Sequence, residues 1–554
     1  MATEFVCSIR ASGGDYTTVT LWQAGCVCDL TAAATKVFSG AVTGSISDGA
    51  TVTLYRGGAS QSVTGTAKHD TATQILVTSI SDTEFSFQWG DEWRVDVSNL
   101  FTISNAGDSV IAVAELYNDW ASGLVDNPDI TGWTTSATNY VIIRASASSG
   151  TEGQSKHNGT AGTGVKIRPT GSGQFYPIFD VNIDHCRLYD FIIDANGNPT
   201  TQQVIGLRVT GAASSAVASA IYVERMIYKG DADLTGGLQR GMYSSPAGSR
   251  TADHYVYFRN CLSYDCHGDS GSYAGIFIFD NLTPRQSHVE IDNCACIDST
   301  GYGIYGYAPG EVIVRNCYCG GNTTGDFGGY FNGGAGDSLT SATCASSDAT
   351  LAGAPWSSGS GHKTSQTPSF LDAGGEDYHL QSGDTALKDA GTDLSAYFTT
   401  DIDGITRSGT WDIGPDEYVS GATQYPVTIG ETGRGSDAYD IRLIDTTPIN
   451  ETARVSDAWE IGIALPAPTD IHTNETWDTA QSGDHNPSGI TDRTPVFSAL
   501  VEGVDANITH VQVQVASTKE FAPGDMEYDS GWLELATPIA PTGGRTEDIE
   551  YGRA

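Results

Sequence analysis

Val256-Tyr257-Phe258-Arg259-Asn260-Cys261, Val289-Glu290-Ile291-Asp292-Asn293-Cys294 and Val312-Ile313-Val314-Arg315-Asn316-Cys317 are three copies of one short pattern. Each carries apolar residues at alternate positions, turns at Asn and resumes with Cys. Alternation of period two marks a strand, and Asn tolerates the left-handed conformation that a tight corner needs. Each copy is followed by a glycine-bearing strand: Gly275-Ile276-Phe277, Gly303-Ile304-Tyr305 and Gly328-Gly329-Tyr330. Two looser copies precede them. One runs from Val181-Asn182-Ile183-Asp184-His185-Cys186 to Gly206-Leu207-Arg208-Val209, the other from Tyr222-Val223-Glu224-Arg225-Met226 to Gly241-Met242-Tyr243. The anchors Cys186, Met226, Cys261, Cys294 and Cys317 lie 40, 35, 33 and 23 residues apart. A coil of three short strands and their turns takes about 20 residues or more, and variable loops absorb the drift. Such repetition predicts a solenoid whose coils pack only on their neighbours. The five anchors are expected to form one inward-facing column, and stacked Asn residues to hydrogen-bond along it.

Composition agrees. The chain has 554 residues, more than one ordinary core accommodates. Its 66 glycines suit turns and extended segments rather than long helices. With 28 basic against 67 acidic residues the net charge is -39, which repels phosphate backbones and makes nucleic acid an unsuitable partner. Polyanionic glycans are disfavoured in the same way unless a cation bridges them. No apolar run reaches the ~18 residues of a membrane span. The start, Met1-Ala2-Thr3-Glu4-Phe5-Val6-Cys7, lacks the basic and apolar regions of a secretory signal. A virion or extracellular location without classical secretion is therefore expected. The 11 cysteines cannot all pair internally. Cys26/Cys28, Cys294/Cys296 and Cys317/Cys319 are Cys-x-Cys pairs, which suit buried small hydrophobes better than zinc ligands.

The corner pattern resembles the pectate-lyase-like superfamily of right-handed parallel β-helices, over about residues 1–35 and 107–420. The style is that of phage-encoded structural proteins. The resemblance implies an all-β fold: a right-handed parallel β-helix with an inserted small β domain and a C-terminal partial β-sandwich. Residues 1–35, with Gly13-Gly14-Asp15-Tyr16 and Leu21-Trp22, read as an opening cap, and 36–106 as the inserted domain. The first strand is expected at Ser109–Tyr117. Residues 107–420 are the β-helix, ending in a closing segment with Asp401-Ile402-Asp403-Gly404 and Asp412-Ile413-Gly414-Pro415-Asp416-Glu417-Tyr418. Residues 421–465 hold two copies of a 20-residue repeat, in which Glu431–Ile441 matches Glu451–Ile461. Residues 466–492 read as a linker, and 493–554 resemble a partial fibronectin type III-like module. That module has too few strands for a sandwich, so continuation past Ala554 is expected.

Sugar-cleaving enzymes work with paired carboxylates. Asp184, Asp194 and Asp269 with His267 are the catalytic candidates, and Asp401 and Asp403 the candidates for a metal. The motif sets of polygalacturonases and pectate lyases are not found, and Asp401-Ile402-Asp403-Gly404 lacks the third acid and distal Glu of a calcium loop. Recognition rather than cleavage is expected, with no cofactor and with calcium the ion left open. The expected function is that of a virion fibre, spike or decoration protein contacting a host glycan and associating with its own kind. The alternatives on the same fold are a polysaccharide-degrading tailspike and a bacterial adhesin or filament subunit.

Overall fold

Alternating segments that recur along the chain stack as parallel strands, and three such stacks form the body of the protein. A computed structural model describes residues 2–419 except short loops at 170–175, 197–202, 214, 232–237, 247, 249, 268–273, 281, 283–285, 308 and 332–335. Beyond 419 it describes the backbone of seven strands between 471 and 550. The chain divides into units Met1–Tyr418 and Val419–Ala554.

In the first unit the strands form parallel sheets of nine, seven and eight members. The first sheet runs from Thr3–Ile9 to Ser338–Ala342, the second from Asp129–Ile130 to Gly325–Tyr330, and the third from Leu124–Val125 to Ala345–Ser346. One full coil is His254–Arg259, Leu262–Tyr264 and Ala274–Phe279. Its strands pair in register with Ser287–Asp292, Ala295–Ile297 and Tyr302–Tyr307 of the next coil. The first sheet begins earlier than the sequence suggests. Thr3–Ile9 pairs along its whole length with Val110–Leu116. In sequence it reads as part of the opening cap, because its partner lies about a hundred residues away.

The corner between the first and third sheets is occupied by Asp190, Arg225, Asn260, Asn293, Asn316 and Thr343, all with φ between 50 and 65°. The next residue in each coil is Phe191, Met226, Cys261, Cys294, Cys317 or Cys344, all buried. Four of the five expected anchors therefore share one column, but Cys186 does not. It sits inside the strand His185–Tyr189, paired with Ile221. Asp190 turns that coil in place of Asn, so Phe191 holds the column position, and Cys344 continues it past a Thr corner. Each thiol donates to a strand carbonyl of the coil before: Cys261 to Val223 at 3.3 Å, Cys294 to Phe258 at 3.5 Å and Cys317 to Ile291 at 3.3 Å. None of the 11 cysteines is bonded to another.

In the two Cys-x-Cys pairs of the coils, the second member, Cys296 or Cys319, faces the glycine strand. Cys296 and Cys319 are register partners, and a Cβ on Gly275 would lie 2.8 Å from Cys296 Sγ. Glycine stands there because the interior is narrow. In the last full coil the alignment shifts by two. Phe327 pairs with Ile304 and Gly328 with Tyr305, so Gly328-Gly329-Tyr330 matches Tyr305-Gly306-Tyr307.

Both ends are covered. Residues 36–103 form a closed six-stranded antiparallel barrel with its own core around Phe38, Trp93 and Phe101. Gln74 of the barrel accepts from Val6 N at 3.2 Å and donates to Glu4 O at 2.8 Å. It thereby satisfies the open edge of the first strand, which would otherwise invite pairing. The helix Val19–Cys26, capped by Thr18, packs Trp22 on Trp133. At the other end Trp356 packs on Phe327 and Phe331.

The closing segment turns back along the corner column. Asn316 accepts from Thr392 N at 2.9 Å and donates to Thr392 O at 2.7 Å. Asn293 donates to Asp412 O and Gly414 O at 2.9 and 3.0 Å. Asn260 donates to Thr400 O and accepts from the buried Arg407 guanidinium, both at 2.8 Å. One rung of the expected Asn ladder is present, Asn316 Nδ2 to Asn293 Oδ1 at 3.1 Å. Leu380, Leu387, Ile402 and Ile413 then cover the outward Ile192, Ile227, Leu262 and Ala295 of the third sheet.

In the second unit, Val496–Val501 pairs antiparallel with Ile471–Asn474, Gly544–Arg545 and Ile549–Glu550, and Ile508–Ala516 pairs with Met526–Ile539. The 20-residue repeats at 421–465 lie outside the described residues.

Two outcomes follow from the column and its corner. Thiol titration of the native protein should detect at most Cys28, the one cysteine not fully buried, and all 11 after denaturation. Rapid native labelling of more would contradict the interior placement. Asn293→Gly keeps the corner's φ but strips two carbonyls of their donor, so unfolding should be eased by about 1–3 kcal/mol. An unchanged denaturation midpoint would mean that the closing segment does not depend on that docking.

Candidate functional site

A strand exposes every second side chain, so each solenoid sheet presents an outer face, and the three differ in chemistry. The first carries an ion-pair ladder: Glu224–Arg259 at 3.3 Å, Arg259–Asp292 at 3.8 Å and Asp292–Arg315 at 2.7 Å. Tyr397 of the closing segment lies over Arg315 at 4.4 Å. The third lies under the closing segment. The second bears aromatic rings in two register columns. Tyr243, Phe277 and Tyr305 form one register column, with centroids 5.5 and 5.6 Å apart. Phe279, Tyr307 and Tyr330 form the next, at 5.9 and 6.2 Å. Tyr307 and Tyr330 are 49% and 54% exposed. Arg240 adds its guanidinium 4.2 Å from the Phe277 ring.

Large exposed rings in a row are unusual on a soluble surface and mark a contact site. Their faces are apolar and their tyrosine hydroxyls polar, a combination that suits the C–H faces and hydroxyl rims of sugars. Sequence reading passed over this surface. The signal was present, because an aromatic recurs two residues after the glycine of each coil, at Phe277 and Tyr305, and again at Phe279, Tyr307 and Tyr330.

The acidic candidates fall elsewhere. Asp184 accepts from Arg250 Nη1 at 2.6 Å, Ser215 Oγ at 2.8 Å and Ala212 N at 3.2 Å, which ties down the loops around it. Asp194 ends a third-sheet strand and accepts from Asn196 N at 2.9 Å. The Asp190 corner lies between them in the chain: Asp184 immediately precedes the first-sheet strand His185–Tyr189, whereas Asp194 is in the third sheet. Asp269 lies outside the described residues. His267 is half-buried beside Asp265 and Asp298, which stack on successive coils through Asp265 N to Ile297 O at 3.1 Å. Burial raises the pKa of both carboxyls, and His267 opposes the shift in each.

Of the two metal candidates, Asp401 is a turn residue. Its Oδ1 accepts from Asp403 N and Ile405 N at 3.0 and 2.8 Å, and its Oδ2 from Glu417 N at 3.2 Å. Burial, then the neighbouring Asp403, pushes its pKa up to about 8. Asp403 instead meets His379 and Asp416, two residues that sequence reading did not connect with it.

No protein-family model matches the chain, and no curated protein matches it in sequence. Among the described residues no helix is long and apolar enough to cross a membrane.

A further titratable cluster joins the barrel to the solenoid cap. His69 Nδ1 lies 2.8 Å from Asp48, and its Nε2 lies 3.7 Å from Asp15, an ion-pair distance beyond hydrogen-bond reach. Tyr16 donates to Asp48 at 2.9 Å, and Cys26 and Asp70 complete the surroundings. Burial disfavours the imidazolium, but Asp15 and Asp48 outweigh it and lift its pKa to about 10, while both carboxyls are held low. The imidazolium stabilises the fold fully below its unfolded pKa of about 6.5. That contribution declines as pH rises through about 10. The carboxylate contribution holds above about pH 4 and fades as pH falls further. Wild type should therefore exceed His69→Gln in thermal midpoint by most between about pH 4 and 6.5, with the gap closing toward pH 10. Parallel curves across that range would remove the ion pair from the stability of this junction.

Proposed function

We propose that the protein is a virion attachment component, a fibre, spike or decoration protein, that holds neutral host-surface carbohydrate on the aromatic face of its second sheet. The observation that carries the reading is the register-aligned Phe279, Tyr307 and Tyr330 beside Tyr243, Phe277 and Tyr305. One ring per coil in each column gives a spacing comparable to successive sugar units of an extended chain, so a polymer lying along the stack could meet a ring at each unit. The net charge of -39 favours neutral over polyanionic glycans. A hydrogen-bonded solenoid is stiff, as an attachment rod requires. On this reading the body is a right-handed, pectate-lyase-like helix. The barrel is an inserted module covering its starting edge, and the C-terminal unit serves self-association through a fibronectin-like module.

A second reading, polysaccharide cleavage, draws on one observation: Asp265 and Asp298 are adjacent, carry raised pKa values and have His267 at hand. A raised carboxyl pKa is what general acid catalysis needs. Asp184 and Asp194 are engaged in structural contacts and give it no support.

A panel of neutral and acidic polysaccharides tests both readings. Binding should favour neutral chains, and Tyr307→Ala with Tyr330→Ala should weaken it at least tenfold without altering the thermal midpoint, since both rings are exposed. No new reducing ends should form. Binding that ignores both substitutions would sink the aromatic-face assignment. Turnover lost in Asp265→Asn or Asp298→Asn would replace attachment by cleavage.

A further inference from the structure

The return of the closing segment brings together three side chains far apart in sequence. A ring nitrogen of His379 and one carboxylate oxygen each of Asp403 and Asp416 lie within 4.8 Å of one another. His379 Nε2 is 3.1 Å from Asp403 Oδ2, and its Nδ1 bonds Asp377. Asp416 is 4% exposed, with Oδ2 accepting from Leu380 N at 2.7 Å and Oδ1 buried without a hydrogen-bond partner. Asp403 Oδ1 is also buried and unpartnered.

The opposite wall is Gly159, at φ 78°. A Cβ there would lie 2.2 Å from His379 Nε2 and 2.5 Å from Asp403 Oδ1, so the missing side chain leaves room beside two of the three donor atoms. Charge points the same way. Arg407, the nearest other cation, is taken up by Glu417 at 3.0 Å and by the carbonyls of Gly414 and Pro415. Among the described residues His379 is the one cation left to Asp377, Asp403 and Asp416, and the buried oxygens of Asp403 and Asp416 that lack a hydrogen-bond partner remain costly. An apolar cleft between the third sheet and the closing segment, lined by Tyr318, Leu387 and Pro415, reaches Asp416 and offers a way in.

We propose that His379, Asp403 and Asp416 bind a structural divalent transition-metal ion of the zinc or manganese kind, which pins the closing segment onto the coil bearing Gly159. Asp377 is the positioning residue. Its bond to Nδ1 orients the ring so that Nε2 faces Asp403, as in the usual carboxylate–histidine–metal arrangement. One imidazole with two carboxylates suits zinc or manganese. Calcium takes six to eight oxygens, more than these side chains provide.

The test uses the full chain, purified without a metal-affinity step. It is equilibrated separately with ZnCl2, MnCl2, CaCl2 and MgCl2, desalted and analysed for bound metal by mass spectrometry. Close to one zinc or manganese per chain is expected, with a thermal midpoint lowered by EDTA and restored by the metal. His379→Gln and Asp416→Asn should lose the ion; the new amide can still accept from Leu380 N. Asp377→Asn should bind about 10–100-fold more weakly. Should the ligand variants fold poorly, cobalt decides in wild type, because imidazole and carboxylate ligation gives visible absorption without the thiolate charge-transfer bands that cysteine ligation adds. Folded wild type without metal, uptake unchanged in the variants, thiolate bands with cobalt, or calcium held as firmly as zinc would each overturn the assignment.

Discussion

The solenoid from His185 onward depends on one backbone constraint, the left-handed residue that ends each first-sheet strand from His185–Tyr189 to Ser338–Ala342. A parallel coil can turn in a single residue only if that residue adopts positive φ, which costs most side chains roughly 1–2 kcal/mol and Asn less. What occupies the corner follows from what lies over it. Asn260, Asn293 and Asn316 stand where the closing segment passes, and their amides satisfy its carbonyls. Upstream, Asp190 and Arg225 occupy successive corners and bond each other at 2.5 Å. Their strain is offset by an ion pair rather than by docking. A corner chosen only for conformation would be Asn or Gly throughout.

The corner also sets the width of the interior. Immediately after it the side chain enters a narrow space, and Cys fills that space while donating weakly to a strand carbonyl of the preceding coil. Ser would bring a stronger donor at a higher desolvation cost, and Val has no donor. Burial drives the thiol pKa of Cys294 and Cys344 well up. Opposite them the chain can afford no side chain at Gly275, where Cys296 already occupies the space.

These rules explain what was legible in the sequence. Period-two alternation and the Asn-Cys corner identify the strands from Val256 onward because there the corner residue announces itself. Upstream the same geometry is held by Asp190, which looks like any surface acid, so the reading slipped to Cys186. The opening strand was missed because its partner is Val110–Leu116, and pairing over that distance leaves no local trace. The closing motif was visible as a pattern but not as chemistry. Asp401 and Asp412 spend their oxygens on main-chain amides, and only the fold-back shows Asp403 facing His379 and Asp416. Gly159, which makes room for them, has no sequence signal at all.

The distribution of coverings completes the argument. A solenoid exposes two ends and three faces, and in this protein both ends and one face are occupied. The barrel supplies Gln74 to the first edge, Trp356 packs at the last coil, and the closing segment shields the third sheet. The first face is self-neutralised by its ladder of alternating charges, with the ring of Tyr397 laid over part of it. Each of these surfaces has its polar or apolar demands met from within the chain. On the second face Tyr307 and Tyr330 are about half exposed, as Tyr397 is over the first, and they are aligned with buried or half-buried rings of the same register. What distinguishes these two half-exposed rings from the other exposed apolar side chains is that they share one register column.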